Sequence, residues 1–197
     1  MKPDAVTYQV GIPDEHRSVA VDLFDEAFGE KLALAVPNRE KRKALFVEGF
    51  NLDSAIAALV GGNLVGIAGF HAHGKSLTSG LKYRHLLSHL GFLGGNRAAI
   101  VFSLFERTPR PNELVMDGIA VQSQARGMGI GKRLLGEIRT FAQIHGFNRV
   151  RLDVIDTNPK ARKLYERFGF TGVKTERFPQ LKSILGFGGV TTMELRI

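Results

Sequence analysis

The amino-acid sequence predicts a single α/β domain over residues 1–197, with a central sheet and flanking helices. Three observations predict it. Gly61-Gly62-Asn63 joins two apolar runs, which is a strong signal for a β-hairpin. Residues 113–155 then change from an alternating to a helical and back to a strand-like apolar pattern, which indicates a β-α-β unit. The chain has 197 residues, of which 44% are hydrophobic, and can therefore bury one sizeable core.

The first half of the chain predicts one strand, two helices and then a hairpin of two further strands. "VTYQVGI" alternates as a strand does, and "PDEHRSVAVDLFDEAFG" carries apolar residues on one helical face, with Gly29 after it. "NREKRKALFVEGF" predicts a second helix that Asn38 caps. "SAIAALVGGNLVGIAGFHA" contains the two apolar runs of the hairpin.

The second half begins with a helical segment and ends with strands. "LKYRHLLSHLGFL" and "NRAAIVFSLF" are predicted as helices with glycines between them, and "ERTPRPNE" breaks any regular element. "ELVMDGIAV" predicts a strand, "GIGKRLLGEIRTFAQIHG" a helix and "RVRLDVI" a strand. "NPKARKLYERFG" predicts a helix, after which "FTGVKT" and "GVTTMELRI" close the sheet.

Composition excludes several kinds of site. The sequence has no cysteine, which excludes disulfides, thiolate metal ligands and cysteine nucleophiles. Its N-terminus lacks the apolar segment of a signal peptide, and no uncharged apolar run is as long as a membrane span. We therefore expect a cytoplasmic protein without a membrane partner.

The positive charge is concentrated in the second half of the chain. Residues 1–100 carry 11 Lys/Arg and 10 Asp/Glu, whereas residues 101–197 carry 16 and 9, within a net charge of +8. Such a field favours an anionic partner, namely a phosphorylated cofactor, a nucleic acid or an acidic surface. The basic stretches are not interleaved with aromatic residues and match no nucleic-acid module, so nucleic acid is not expected as the partner.

"QSQARGMGIGKRLL" contains three alternating glycines, Gly127, Gly129 and Gly131, between a predicted strand and a predicted helix. The first amides of a helix have no partner and lie at the positive end of its dipole, so this turn could bind a phosphate. The alternative is a plain glycine-rich connector. The spacing does not fit a Walker A loop, because Arg126 stands in place of its first glycine and Arg133 in place of its Ser/Thr. It does not fit the dinucleotide fingerprint either, because Lys132 stands where the last glycine should be.

This stretch resembles the acetyl-CoA pyrophosphate loop of the GNAT superfamily of N-acetyltransferases. The family pattern is Arg or Gln, two residues, Gly, one residue, and Gly or Ala, which Arg126, Gly129 and Gly131 match in full. "MDGIAVQSQARGMGIGKRLL" is similar to the family's fourth strand, loop and third helix. "NPKARKLYERFGF" is similar to its second signature segment. The resemblance covers nearly the whole chain except residues 74–112.

The resemblance implies a mixed, mostly antiparallel central sheet flanked by helices, with residues 74–112 as a helical insertion between the third and fourth strands. It also implies transfer of an acetyl group from acetyl-CoA, the cosubstrate, to a primary amine of a small molecule or peptide. Direct attack by the amine needs no covalent enzyme intermediate. The alternative is a non-catalytic module of the same fold that binds acyl-CoA.

The resemblance assigns cofactor-binding roles to the end of the strand, the glycine loop and the following helix. The pantetheine is expected to pair with the strand backbone, and the loop amides to bind the pyrophosphate. The expected residues are Ile119, Ala120, Val121, Arg126, Gly127, Met128, Gly129, Ile130, Gly131, Lys132, Arg133, Asn158 and Tyr165.

Amide formation needs a neutral amine and a protonated leaving group, so the reaction is helped by a base and an acid. Tyr165 is the candidate acid, and the resemblance implies a tyrosine near the CoA sulfur at this position; the alternative is a core tyrosine. Alternation places Glu113 and Asp117 on one strand face. The resemblance makes both of them candidate bases, because Glu113 falls where histone acetyltransferases of the superfamily carry a glutamate base and Asp117 where many small-molecule members have an acidic residue. Alternatively, each of these carboxylates forms an ion pair with Arg107 or Arg110. A further alternative is an ordered water chain in place of a single base.

Residues 74–112 and the histidines leave two further questions. His85 and His89 have a helical spacing that could bind a metal, but no third ligand accompanies them, so no metal is expected. An apolar stripe runs from Tyr83 to Leu93 at helical spacing. The segment either forms one wall of the acceptor site, or covers the sheet or joins two copies of the chain in a homodimer.

Overall fold

The computed structural model describes residues 5–105 and 107–197, which form thirteen helices and strands in a mixed α/β fold. In chain order these are β1 Val6–Val10, α1 Arg17–Leu32, α2 Arg39–Gly49, β2 Ala55–Val60, β3 Asn63–His71, α3 Tyr83–Phe105, β4 Glu113–Val121, α4 Ile130–Ile144, β5 Arg149–Ile155, α5 Pro159–Phe168, β6 Thr171–Arg177, α6 Lys182–Leu185 and β7 Gly189–Arg196. No helix within the described residues is long and apolar enough to cross a membrane.

The strands form one seven-stranded sheet in the order β1-β2-β3-β4-β5-β7-β6. Among the described strands, β4 and β5 pair in parallel and every other pair is antiparallel. The predicted hairpin is present, because Val60 pairs with Asn63 across Gly61 and Gly62, which have φ values of 54° and 81°. Positive φ at both central positions is the geometry that favours glycine in a two-residue hairpin turn. The mostly antiparallel sheet is thus confirmed.

The parallel pair β4–β5 separates after a short contact. Pairing extends from Glu113↔Arg149 to Val115↔Arg151, after which β4 continues to Val121 without contacting β5 in register. On its other edge, β5 pairs with β7 along its whole length, from Arg149 to Ile155. The two strands therefore enclose a wedge that opens toward their C-terminal ends. We call this opening the β4–β5 wedge.

A bulge interrupts β4 inside the wedge. Gly69 pairs with Gly118 and Phe70 pairs with Met116, so Asp117 has no partner on β3. Such a bulge re-aims a side chain and is common beside functional sites. Gly118 has a φ of 146°, and a side chain there would collide with the Phe28 ring of α1. Only glycine therefore allows α1 to lie this close to the bulge.

The sheet has a hydrophobic core on each face. On one face, α4 and α5 bury an apolar stripe against β4, β5 and β7, with Leu134 and Met193 fully buried. On the other face, α1 and α2 pack a group of phenylalanines against β2 and β3, including Phe24 and Phe46. Strands β2 and β3 are therefore buried almost continuously along their length, because both faces of the sheet are covered.

Helix α1 does not end at Gly29 as its sequence suggested but continues to Leu32. Gly29 is buried, and a Cβ there would lie 3.1 Å from Asp25 Oδ1 and 3.2 Å from an Arg42 guanidinium nitrogen. The glycine therefore makes room for the buried Asp25–Arg42 ion pair, whose atoms are 2.6 Å apart, and does not terminate the helix. The cap of α2 was predicted correctly, since Asn38 accepts a hydrogen bond from the Lys41 amide at 2.9 Å.

Helix α3 lies between β3 and β4, where the helical insertion was predicted, and it folds back on itself. Gly91 has non-helical angles of φ 70° and ψ 178°. The Tyr83 hydroxyl lies 2.9 Å from Asn96 Oδ1, although these residues are 13 positions apart. We call this folded-back element the α3 hairpin. Gly95, which was expected in the break, instead lets the second arm contact Leu86. Glu106, in the predicted break after the helix, lies outside the described residues.

The α3 hairpin packs on the helical layer and not on the sheet. Its buried residues Leu86 and Ala98 contact Ala35, Val36 and Leu45, from α2 and the segment that precedes it. The hairpin therefore covers helices, which differs from the cover over the sheet that was one interpretation of this segment. The two ends of residues 74–112, in contrast, contact β4 and β5 beside the wedge.

Candidate active site

The exposed backbone of β4 forms one side of the β4–β5 wedge. The Gln122 amide donates to the Val65 carbonyl of the segment that includes β3, at 2.9 Å. Backbone groups alternate in direction along a strand, so the N–H and C=O groups of Ile119 and Val121 point away from β3 and toward the wedge. Ala120 has the opposite orientation and faces β3. Of the three expected strand residues, two thus offer backbone groups to the wedge.

The glycine loop leads from β4 into α4. Gly127 and Gly129 have φ values of 85° and 78°, and a Cβ built on either would meet no described atom within 4 Å. The first hydrogen bond of the helix runs from the Arg133 amide to the Gly129 carbonyl at 3.0 Å. Within the described part of the chain, the amides from Gly127 through Lys132 donate no hydrogen bond of good geometry. A run of unpaired amides at a helix N-terminus is an anion-binding arrangement.

Two of the three cationic side chains near the loop already have protein partners. Arg126 lies 2.6 Å from Glu26 of α1 and also donates to the Val121 carbonyl at 3.0 Å. Arg133 lies 2.9 Å from Glu137. Lys132 is exposed and has no ion pair with any described residue. Arg126 thus braces α1 against the loop, beside a cavity of about 400 Å³ between α1 and residues 122–124.

Helix α5 packs against α4 and β5 on one face of the sheet, beside the wedge. A Cβ on Gly131 would lie 3.5 Å from Leu164, so the third glycine brings α4 close to α5. Asn158 caps α5 by accepting a hydrogen bond from the Ala161 amide at 3.1 Å, as the sequence predicted. Tyr165 is buried against Phe170, with ring centroids 5.9 Å apart. Burial raises the pKa of Tyr165 to about 12, so its hydroxyl stays protonated at neutral pH.

Asp117 lies on the β4 bulge, opposite α5 across the sheet. Its Oδ2 accepts a hydrogen bond from the Leu77 amide at 3.2 Å. The residue is exposed by its accessible surface, but it lies in a crowded part of the protein, and the resulting desolvation raises its pKa from 3.8 to about 6. The Leu77 amide and the nearby His71 act in the opposite direction. A carboxylate that exchanges a proton near neutral pH suits general base catalysis.

Glu113 lies at the closed end of the wedge and is fully buried. Its Oε2 is 3.0 Å from an Arg151 guanidinium nitrogen of β5 and also accepts from the Arg110 amide at 3.0 Å. Of the two predicted partners, Arg110 extends its side chain to Glu194 and Arg107 extends its side chain to Asp153. The geometry favours a structural ion pair across the two parallel strands.

Glu113→Gln is expected to lower the free energy of unfolding by roughly 3–5 kcal/mol, because Arg151 would remain buried without its anion. Urea unfolding followed by circular dichroism measures this difference. Glu194→Gln serves as the control, since it breaks a more exposed pair on the same face and should change stability by less than about 1 kcal/mol. Equal losses for the two variants would contradict a special structural role for Glu113.

Comparison with known proteins gives this arrangement a family. A model described as the acetyltransferase (GNAT) family matches residues 20–170, which is well over half of the chain. The chain belongs to the GNAT acetyltransferase family. The match includes β4, the glycine loop, α4 and α5, so the resemblance read from the sequence is confirmed. Members of this family use acetyl-CoA as a cosubstrate.

Two curated relatives match parts of this GNAT chain. It is 35% identical over 74 residues to a Xenopus tropicalis protein named "Probable N-acetyltransferase camello", covering 38% of this chain and 34% of that protein. It is 32% identical over 87 residues to the "5-NmdU N-acetyltransferase" of Pseudomonas phage PaMx11, covering 44% of this chain and 56% of the relative. Each match thus spans only part of the relative's length.

Solved structures share the fold of this GNAT chain over nearly its full length. A GCN5-related N-acetyltransferase from Kribbella flavida superposes with a TM-score of 0.63, covering 98% of both chains at 16% identity. A second solved acetyltransferase gives a TM-score of 0.62 over 97% of this chain and 99% of its own, at 22% identity. These likenesses show the fold.

Sequence reasoning missed several residues that the GNAT fold brings to the sheet face beside Asp117. Arg107 lies 2.5 Å from Asp153 of β5, and its carbonyl is 3.2 Å from His71 Nδ1. Lys31 lies over the Phe187 ring at 5.7 Å, and burial lowers its pKa. These residues come from five separated segments, so no local spacing in the sequence could have grouped them. The cluster forms a polar surface on the side of the wedge opposite α5.

The histidines of this GNAT chain have separate surroundings. His89 Nε2 lies 3.0 Å from Glu48, and His85 Nδ1 accepts from the Lys82 amide at 3.3 Å. Among the described residues, no group of three or more His, Cys, Asp or Glu side chains could hold a metal ion. His85 and His89 therefore each bond to a neighbouring residue of the helical layer.

Proposed function

We propose that the chain transfers an acetyl group from acetyl-CoA to a primary amine of a small molecule or peptide, as one catalytic domain. The observation that carries the proposal is the run of unpaired amides from Gly127 through Lys132, at the mouth of the wedge. A ligand whose anionic group binds there would place its neutral part along β4. This matches the shape of acetyl-CoA, which is a pyrophosphate followed by a flexible amide chain.

The cofactor would bind in two parts. The loop amides, with Lys132 as the unpaired cation, would bind the pyrophosphate, while Arg126 holds the loop against α1. The wedge-facing backbone groups of Ile119 and Val121 would pair with the pantetheine amides as a further strand would. Because Val121 O now accepts from Arg126, the pantetheine would share or replace that hydrogen bond. Asn158, at the start of α5, would lie near the opposite side of the pantetheine.

Asp117 is favoured over Glu113 as the base. Its pKa of about 6 leaves it ionised at neutral pH yet more basic than an ordinary aspartate, and it lies on the solvent-accessible bulge. Glu113 is buried and engaged by Arg151. In the proposed reaction the amine nitrogen bonds to the thioester carbon and its proton passes to Asp117, directly or through water. The carbon–sulfur bond then breaks and releases the CoA thiolate.

Tyr165 is proposed to stabilise the departing thiolate with its protonated hydroxyl. A phenol with a pKa near 12 donates a hydrogen bond more readily than it gives up its proton, so its contribution is moderate. Tyr165→Phe is therefore expected to lower kcat by roughly tenfold, with little change in the Kd of acetyl-CoA. Steady-state kinetics and calorimetry measure the two quantities.

Tyr83→Phe is the matched control for that variant. It removes an exposed hydroxyl that donates to Asn96 on the α3 hairpin, so kcat should stay at the level of the unmodified protein. If Tyr165→Phe also leaves kcat unchanged, Tyr165 is a residue of the core and has no part in the reaction.

The acceptor would approach from the face of Asp117. The two ends of the insertion line this face. The Leu77 amide donates a hydrogen bond to Asp117, and Arg107 forms an ion pair with Asp153. This supports a wall formed by the two ends of residues 74–112, while the α3 hairpin covers the helices. The acidic and basic groups at this face suit a polar amine acceptor.

The proposed reaction is tested by thiol release from acetyl-CoA in the presence of a panel of small amines and peptides. Release that depends on the acceptor, with a matching acetylated product in mass spectrometry, would support catalysis. Tight binding of acetyl-CoA in calorimetry without turnover of any acceptor would instead identify a non-catalytic acyl-CoA-binding module. Absence of acetyl-CoA binding would overturn both interpretations.

A further inference from the structure

The tip of the α3 hairpin exposes large apolar side chains that the fold does not use. Phe92 is 73% exposed and Leu93 is 83% exposed, directly after the Gly91 break. Ile100, on the second arm, is 64% exposed. Leu86 of the same hairpin is buried, so the hairpin already has an inward apolar face. Several large apolar side chains that stay exposed on one element indicate contact with another phase or molecule.

The hairpin is also free of acidic residues. Residues 54–105 contain no aspartate or glutamate, whereas Lys82, Arg84 and Arg97 lie on or beside the two arms. The acidic side chain that reaches it from α2 is Glu48, which is 3.0 Å from His89. The hairpin thus combines an apolar tip with cationic flanks.

Helix geometry sets the distance between these two features. At about 1.5 Å per residue, Arg84 lies roughly 10 Å before Gly91 along the first arm, and Arg97 lies about 6 Å beyond Leu93 on the second. The Tyr83–Asn96 hydrogen bond keeps the basic residues of the two arms at a similar level. Interfacial helices insert their apolar groups by about 5–10 Å into the boundary of head groups and acyl chains. At that depth the cations would lie among lipid phosphates.

We propose that the α3 hairpin attaches the protein to an anionic lipid surface, with Phe92 and Leu93 inserted and Lys82, Arg84 and Arg97 contacting the phosphates. Charge decides against a second copy of the chain, because docking tip to tip would bring two acid-free cationic hairpins together. The sequence-based expectation of no membrane partner rested on the lack of a spanning segment, which surface attachment does not need. The proposal is independent of the acetyl-transfer reaction.

The chain contains no tryptophan, which allows a single reporter to be placed at the tip. Phe92→Trp is titrated with vesicles of phosphatidylcholine and phosphatidylglycerol, and with vesicles of phosphatidylcholine alone. Ile144→Trp is the control, since Ile144 is a 75% exposed apolar residue at the end of α4. We expect a blue shift, and quenching by brominated acyl chains, for the Phe92→Trp variant with the anionic vesicles. The Ile144→Trp variant should show neither signal.

Co-sedimentation with the same anionic vesicles separates the apolar and charged contributions. The double variant Phe92→Ser/Leu93→Ser should bind about tenfold more weakly or worse, because both inserted side chains are lost. Lys82→Gln/Arg84→Gln should weaken binding by a similar factor. Lys41→Gln/Lys75→Gln, which removes two exposed lysines away from the tip, should leave binding nearly unchanged.

Two results would overturn the proposal. One is fluorescence of the Phe92→Trp variant that does not respond to anionic vesicles, or responds no more than that of the Ile144→Trp variant. The other is a lipid-independent blue shift that grows with protein concentration and accompanies a doubled mass in light scattering. That second result would assign the tip to contact between two copies of the chain.

Discussion

Asp117→Asn is expected to lower kcat by about a hundredfold or more, because general base catalysis contributes roughly 10²–10⁴-fold. The amide can still accept the Leu77 hydrogen bond, so the bulge should keep its shape. Stopped-flow or steady-state assays of thiol release measure kcat. The Kd of acetyl-CoA, measured by calorimetry, should not change, because Asp117 lies on the face from which we propose that the acceptor approaches.

The pH dependence gives this prediction a second readout. The pKa of Asp117 is raised to about 6, so kcat of the unmodified protein should fall as the pH is lowered through about 6, where the base becomes protonated. Asp117→Asn should lose this acidic limb, whereas Glu113→Gln should retain it. An acidic limb that persists in Asp117→Asn would assign it to another group.

The same shift predicts the effect on stability. A carboxyl whose pKa is higher in the folded than in the unfolded protein contributes stability at low pH, and loses that contribution as the pH rises through about 6. Above that pH the ionised group no longer favours folding. Asp117→Asn should therefore have a Tm at pH 7.5 no lower than that of the unmodified protein. A clearly lower Tm would attribute the loss of activity to damaged structure.

Gly129→Val is expected to weaken acetyl-CoA binding by at least about tenfold, since a side chain would enter the space before the loop amides. Gly146→Val is its matched control. Both glycines flank α4, both have positive φ, at 78° and 73°, and a Cβ at either would meet no described atom within 4 Å. Each variant should thus lose a similar 1–2 kcal/mol, roughly, from backbone strain. Calorimetry measures the affinity of each variant for acetyl-CoA. Equal affinities of the two variants would show that the loop does not contact the cofactor.

The sequence identified the loop and cap of the site because each depends on neighbours in the chain. Gly129 precedes the helix it caps, and Asn158 bonds an amide three residues away. Alternation correctly assigned Asp117 to a strand, but it could not reveal the bulge, which depends on register with β3. The Glu113–Arg151 pair joins residues 38 positions apart, so local patterns favoured the nearer arginines instead.

Glycines show the same division between local and distant causes. Gly61 and Gly62 were predicted as a turn because their conformation is decided within four residues. Gly29 was expected after the first helix, but its absent side chain accommodates Arg42 from a different helix. A glycine that makes space for a partner distant in the sequence cannot be distinguished, by composition alone, from one that ends a helix.

The separation of β4 from β5 also affects how this protein meets other protein chains. An exposed strand edge normally invites pairing with a strand of another molecule, which is a route to aggregation. Here both separated strands are interior members of the sheet, bounded by β3 on one side and β7 on the other. The gap between them narrows to full pairing at Val115. A slender molecule can enter from the open end, whereas a strand within a folded domain cannot, so unsatisfied backbone groups are kept available without offering a template for fibre growth.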